Sequence, residues 1–393
     1  MDELSRGSGV RILYLTDNDS VHNRRFLEEL VCAGYEMWSW NLAATQAPKN
    51  GLPSGVQSIV SAKRIDRSAS TGPYRELLPQ FQSVVEQLRP ALVHAGPIQS
   101  GGYLAALADF HPLLLMSWGS DLLIEAERNS EWKQATEFAL QKADAFFCDC
   151  DAVRQRANNF RMFSDSQVVQ FPWGVKQGVF SPVGPLPPAD RFERTAGTTT
   201  FIYTRSYDPL YGTDVLLDAF RRARSTNPSL RLLLLGNGSE DQGIRSFVQA
   251  CGLNDAVSLL GPQPAEELPM WFRAADAYIS CAKSDGTSIS LLEAMATGLP
   301  VVVTDIPSNR EWVTEPENGW LAPAGSPEGV AHRMLQVANL TTQERKTISE
   351  RNQRVVAERA DWDKNFPRLL EMYERLVGQA ARSCCSSAGS VHH

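Results

Sequence analysis

From Val10 onward, short apolar runs alternate with longer stretches in which apolar residues recur at helical spacing. "VRILYL" is followed by "HNRRFLEELVCAGY", with Gly34 placed to stop a helix. "ALVHAG" precedes "GGYLAALADF", "LLLMSW" precedes a helical stretch from about Glu131 to Lys142, "AFFCDC" leads into "DAVRQRANNF", and "VVQFPW" closes the series. Compact apolar strands alternating with amphipathic helices predict a parallel sheet covered by helices.

Residues 181–200, "SPVGPLPPADRFERTAGTTT", interrupt the pattern with four prolines, charges and small residues, the composition of a linker. The alternation then restarts with "TFIYTR", "RLLLLG", "AVSLLG", "AYISCA" and "PVVVTD" as strands and a helical stretch after each of the first four. Residues 341–380 read as helical. The prediction is α/β: two Rossmann-like domains, with a cleft between them where strand ends from both halves meet a ligand. The expected boundaries are 1–185, 186–360, a C-terminal helix at 361–380 and a disordered tail at 381–393.

A chain of 393 residues is long enough for two domains that each bury a core. The composition is that of a soluble globular protein, and no apolar run approaches the ~20 residues of a membrane span. The opening "MDELSRGSGV" has no apolar core of a secretory signal, so cytoplasmic residence is the expectation. The net charge of −7 argues against nucleic acid as a partner and against strong electrostatic anchoring to a membrane; peripheral membrane contact is left open. Seven irregularly spaced cysteines suggest reduced thiols rather than a disulfide framework.

The most informative stretch is "SDGTSISLLEAMATGLPVVVTD", residues 284–305. On one straight helix Asp285 and Glu293 would lie about 12 Å apart along the axis, too far to serve one reacting centre. With Asp285 in the preceding loop and the helix starting near Thr287 or Ser288, the first free N–H groups form an anion site between two carboxylates. That layout suits a sugar nucleotide, with hydroxyls at both ends and phosphate in the middle. From spacing alone, a Ser/Thr-capped helix with solvated acids is the more ordinary reading, because capping residues and helical Glu are common.

This stretch resembles the donor-site signature of glycosyltransferase family 4, retaining enzymes of GT-B fold. The resemblance runs through nearly the whole chain and implies C-terminal helices that cross back to the N-terminal domain. It implies a nucleoside-diphosphate sugar donor, such as a UDP- or GDP-sugar, a hydroxyl-bearing acceptor, no cofactor and no metal. The pattern of two acids separated by seven residues assigns sugar contact to Asp285, donor phosphate to Gly286, Thr287 and Ser288, and ribose to Glu293. "FIYTRSYDPLYGTDVLLDAF" resembles the segment carrying two diphosphate-binding cations, of which Arg205 supplies one. "LLLLGNGSE" and "LLGPQ" place Asn237, Gly238 and Gly261 on the nucleobase side. "LLMSWGSDLL" resembles an acceptor-facing strand end, with Asp121 joining Asp285 and Arg205 as catalytic candidates and with His22 and Trp118 lining the acceptor side. His94 reads as structural.

Three positions depart from the family pattern. Tyr211 stands where a lysine is usual, and Lys283 is a candidate replacement for the lost cation. Asp285 replaces a glutamate, which draws the carboxylate back by ~1.5 Å. Trp118 occupies the place of a histidine, leaving polar duty there to Asp121. Two alternatives remain open: a non-catalytic sugar-nucleotide-binding protein, and a nucleotide-sugar epimerase of the same fold.

Overall fold

The computed structural model describes residues 9–18, 20–46, 51–65 and 70–388. They divide into two compact units, one comprising residues 1–170 with 366–393 and the other residues 171–365.

The first unit holds a parallel seven-stranded sheet in the order β3-β2-β1-β4-β5-β6-β7. Its strands are β1 (Arg11–Thr16), β2 (Glu36–Asn41), β3 (Val56–Ile59), β4 (Leu92–Ala95), β5 (Leu113–Met116), β6 (Ala145–Cys148) and β7 (Val168–Gln170). The apolar runs read from the sequence as strands supply the five strands from β1 through β7; β2 and β3 were not anticipated. In β2, "EMWSWN", polar residues interleave with the apolar ones, and β3 lies at the sheet edge with Gln57 and Ser58 exposed. Strands β4, β5 and β6 are wholly buried, as expected for central strands covered on both faces.

The second unit holds six parallel strands in the order β10-β9-β8-β11-β12-β13. These are β8 (Thr199–Tyr203), β9 (Leu230–Leu234), β10 (Val257–Leu259), β11 (Ala277–Ser280), β12 (Val301–Thr304) and β13 (Gly319–Ala322), of which only β13 was not anticipated. In both sheets the strand order reverses once, between β1 and β4 and between β8 and β11, and ligands of open α/β sheets collect outside the carboxyl ends of strands at such reversals.

The boundaries differ from expectation, with the second unit ending at Asn365 rather than at residue 360. Residues 181–200 do not hang free between the domains but are fastened to the second unit. The Arg273 guanidinium donates to the carbonyls of Pro185 (2.8 Å) and Ser181 (3.3 Å), and Arg191 pairs with Glu267 at 2.7 Å and lies over the Trp271 ring. The unit boundary accordingly falls at 170/171. At the other end, the helix Pro367–Ala388 continues through residues 381–388, where a disordered tail was expected; residues 389–393 lie outside the described residues. No helix among the described residues is long and apolar enough to cross a membrane.

That C-terminal helix packs on the first unit's sheet. Tyr373, fully buried, meets the His94 ring of β4 with 2.6 Å between its hydroxyl and Nδ1, and Tyr14 closes edge-on against the same imidazole. Burial pushes the His94 pKa from its ordinary 6.5 down to about 3. Between those values the unfolded chain binds a proton that the folded chain refuses, so stability falls as pH is lowered through this window, by at most ~1.4 kcal/mol per pH unit. Thermal denaturation at pH 7 and pH 5 should show a smaller acid-induced drop in Tm for His94→Gln than for the wild type. Equal drops would remove His94 as the cause.

Candidate active site

Arg205 follows β8 and Asp285 follows β11, so the two lie beside the strand-order reversal of the second unit. Backbone contacts that exclude side chains hold the loops there. Gly212, in left-handed conformation (φ 63°), caps the helix Thr213–Thr226, and a Cβ on it would stand 2.3 Å from the Cys281 carbonyl oxygen. The Lys283 N–H donates to the Leu210 carbonyl at 2.8 Å, which ties the same two loops together. On the other flank, a Cβ on Gly236 would meet the Arg205 carbonyl oxygen at 2.3 Å, and the Tyr207 N–H donates to the Asn237 carbonyl at 2.9 Å.

The Arg205 guanidinium is held on three sides. One terminal nitrogen donates to Asp285 Oδ2 at 2.6 Å; the other donates to Ser288 Oγ at 2.9 Å and to Ser290 Oγ at 3.5 Å. The third contact is the Tyr211 ring, whose centroid lies 4.4 Å from the guanidinium carbon. Ser290 is held in turn by the buried Tyr278 hydroxyl at 2.8 Å. Arg205 and Asp285 keep only 13% and 20% of their side-chain surface exposed. Burial opposes the charge on Arg205, but the Asp285 carboxylate together with the surrounding Tyr278, Tyr211 and Tyr203 outweighs it, and the guanidinium pKa lies above its ordinary value. Burial likewise raises the Asp285 carboxyl, while Arg205 and the Gly286 N–H act to lower it.

Ser288 is the N-cap of the helix Ile289–Ala296, its hydroxyl accepting from Leu291 N–H, and it is buried together with Thr287 and Gly286. The first N–H groups of that helix have no intrahelical acceptor and carry the positive end of its dipole. Glu293 lies half-buried in the second turn of the same helix. An open cavity of about 510 Å³ brings Asn237, Gly238 and Gly261 together and adds Asp241 and Arg245, which pair at 2.7 Å. The sequence reading missed both; four-residue helical spacing in "DQGIR" is the signal that could have found them. It also missed Ser290 and Tyr278. Lys283 is exposed and Tyr211 half-buried, so the position of the usual lysine presents an aromatic face to Arg205.

In the first unit, Asp121 was expected at the reacting centre. Its carboxylate is fully buried and accepts from Ser117 Oγ (2.6 Å), Trp118 N–H (3.0 Å) and Ile98 N–H (3.0 Å), fastening the loop after β5 to the loop after β4. This geometry gives it a positioning role, holding the two loops together. Trp118 is half-buried, and its indole nitrogen would be 3.2 Å from a Cβ on Gly96, just past β4. His22 is half-buried in the first turn of the helix Val21–Cys32, after a loop wired by Asn23 to Tyr14, Thr16 and Asn18. In the loop after β1, Asp17 accepts from Ser100 and Asn18, and Asp19 lies outside the described residues. No group of three or more His, Cys, Asp or Glu among the described residues is arranged to hold a metal ion.

Two parallel α/β units with this paired site at a sheet reversal define a GT-B architecture, and solved structures share it. Sucrose-phosphate synthase from Thermosynechococcus elongatus superposes with a TM-score of 0.80 at 17% identity, over 94% of this chain and 100% of that one. HepE from Anabaena in complex with UDP does so with 0.73 at 16%, over 93% and 100%. Residues 11–150 match the model of the glycosyl transferase 4-like family, and residues 190–355 that of the glycosyl transferases group 1. The chain belongs to the group 1, family 4 glycosyltransferases. The phosphatidyl-myo-inositol mannosyltransferases of Mycobacterium leprae and Mycobacterium tuberculosis are 29% identical over 235 and 239 residues, 59% of this chain in each case. Those matches span 60% of the length of these relatives.

Asp121→Ala orphans two buried N–H donors and is expected to destabilise the chain by ~2–4 kcal/mol, with Asp121→Asn milder. Because Asp121 belongs to the first unit's loop network, ligand affinity at the Arg205 site should not change. Urea denaturation together with nucleotide titration checks both halves. A loss of nucleotide affinity with unaltered stability would contradict the positioning role.

Proposed function

We propose that the protein transfers a sugar from a nucleoside-diphosphate sugar to a hydroxyl acceptor, with retention of anomeric configuration and without a metal, in the cytoplasm. The observation that carries this reading is the Arg205 guanidinium, locked beside Asp285 and the Ser288-capped helix start at the reversal of a parallel sheet. A guanidinium and a helix N-terminus side by side suit an oxyanion such as a diphosphate. The cavity bearing Asn237, Gly238 and Gly261 would take the base, and Glu293 the ribose. Membership of the family supports the class of reaction, and UDP in the HepE structure supports the class of donor.

In this reading the bond between the sugar's anomeric carbon and the β-phosphate oxygen breaks as the acceptor oxygen bonds to the same face. The acceptor's proton passes to the departing phosphate oxygen. Arg205 and the N–H groups of the helix start stabilise the negative charge that develops on the diphosphate, the largest contribution expected of a site without a protein nucleophile. Gly286, Thr287 and Ser288 shape that cradle, and Tyr211 keeps the guanidinium plane fixed. His22 and Trp118 serve the acceptor.

A thermal-shift screen of nucleotides and nucleotide sugars should find a stabilising donor, and NMR of the product should show the donor's anomeric configuration preserved. Arg205→Ala should weaken nucleoside-diphosphate binding by roughly ten- to a hundredfold, equivalent to ~1.5–3 kcal/mol. Tyr211→Ala should weaken it less, Tyr211→Phe and Lys283→Ala hardly at all, and a chelator should leave turnover unchanged. Nucleotide binding with no transfer to any acceptor would favour a non-catalytic binding protein.

A further inference from the structure

We propose that Asp285 is a resident counter-anion of the donor-phosphate site: it holds Arg205 in the empty protein, competes with the diphosphate for it, and so limits how tightly the leaving nucleotide is retained. This rests on the nucleotide-sugar reading above and changes the role of Asp285 within it, from a contact for sugar hydroxyls to a regulator of phosphate affinity.

The geometry carries the inference. The Asp285 carboxylate sits 2.6 Å from an Arg205 terminal nitrogen and also accepts from the Gly286 N–H, so it faces the guanidinium and the start of the anion-binding turn. The pair is largely enclosed, so its charges are poorly screened by water. Tyr211 adds an aromatic face and no charge, which leaves the Arg205 and Asp285 side chains summing to zero where a doubly charged diphosphate must bind. Ser288 and Ser290 grip the other terminal nitrogen, and the Tyr211 ring supports the plane. The guanidinium can therefore exchange one anion for another at its Asp285 side while the rest of its support stays in place. An arginine so supported does not need the carboxylate for its orientation; the carboxylate's remaining effect is electrostatic.

Asp285→Asn keeps the shape and an acceptor oxygen for Arg205 and removes the charge; Asp285→Ser removes both. Calorimetric titration of the full chain with UDP, GDP, uridine and guanosine separates the contributions. Whichever nucleoside diphosphate the wild type binds should bind roughly tenfold more tightly to Asp285→Asn, and also more tightly to Asp285→Ser. Affinity for the matching nucleoside, which lacks phosphate, should be unchanged. A carboxylate that merely supports the fold or orients Arg205 would give weaker diphosphate binding in both variants. Weaker or equal binding overturns the counter-anion role while leaving the nucleotide-sugar reading intact, whereas a wild type that binds no nucleoside diphosphate in the thermal-shift screen removes both.

Discussion

Backbone packed on backbone around Arg205 is the constraint on which the candidate site depends. Gly212 against the Cys281 carbonyl and Gly236 against the Arg205 carbonyl bring three strand-end loops so close that a single added Cβ would have to displace main chain. With those loops locked, the guanidinium has little freedom, and the Tyr211 ring, the Ser288 hydroxyl and the Asp285 carboxylate meet it from fixed directions. The charged chemistry rests on a steric foundation: rigid loops convert a flexible arginine into an oriented donor without ordering it again each time a ligand binds.

Much of this was legible in the residues. The strands that carry the site are compact apolar runs such as "TFIYTR" and "AYISCA", and a buried central strand leaves that mark in any sequence. The Ser288 cap and the loop placement of Asp285 followed from helix-end chemistry, since a carboxylate eight residues before Glu293 could not share its helix and still face one centre. What escaped notice lay where pattern and environment part company. Strand β2 mixes polar with apolar residues and β3 is an exposed edge, so neither shows a strong period. The proline-rich segment reads as a linker, yet Arg273 and Arg191 fasten it through carbonyl, carboxylate and ring contacts that no local composition announces.

Asp121 illustrates a different limit. A carboxylate at the carboxyl end of a parallel strand is where catalysis is commonly found, and the sequence position alone supports that expectation. Donors from Ile98, Ser117, Trp118 and Leu122 converge on it, so the fully buried carboxylate also joins the loops after β4 and β5, a duty its sequence position does not announce. Asp285 has the opposite character: it keeps a fifth of its surface and faces a cation, so its charge is available to whatever shares Arg205.

The division of the chain has its own consequence for how the molecule is made. The second unit is one continuous segment, 171–365, whereas the first needs the helix Pro367–Ala388 to return to it, with Tyr373 filling the space against His94. Folding usually proceeds domain by domain as the chain emerges from the ribosome. Here the seven-stranded sheet must wait, with that side of the His94 ring uncovered, until the helix from Pro367 has been synthesised. The second unit can be finished while the first is still open, so order of synthesis and order of completion run in opposite directions.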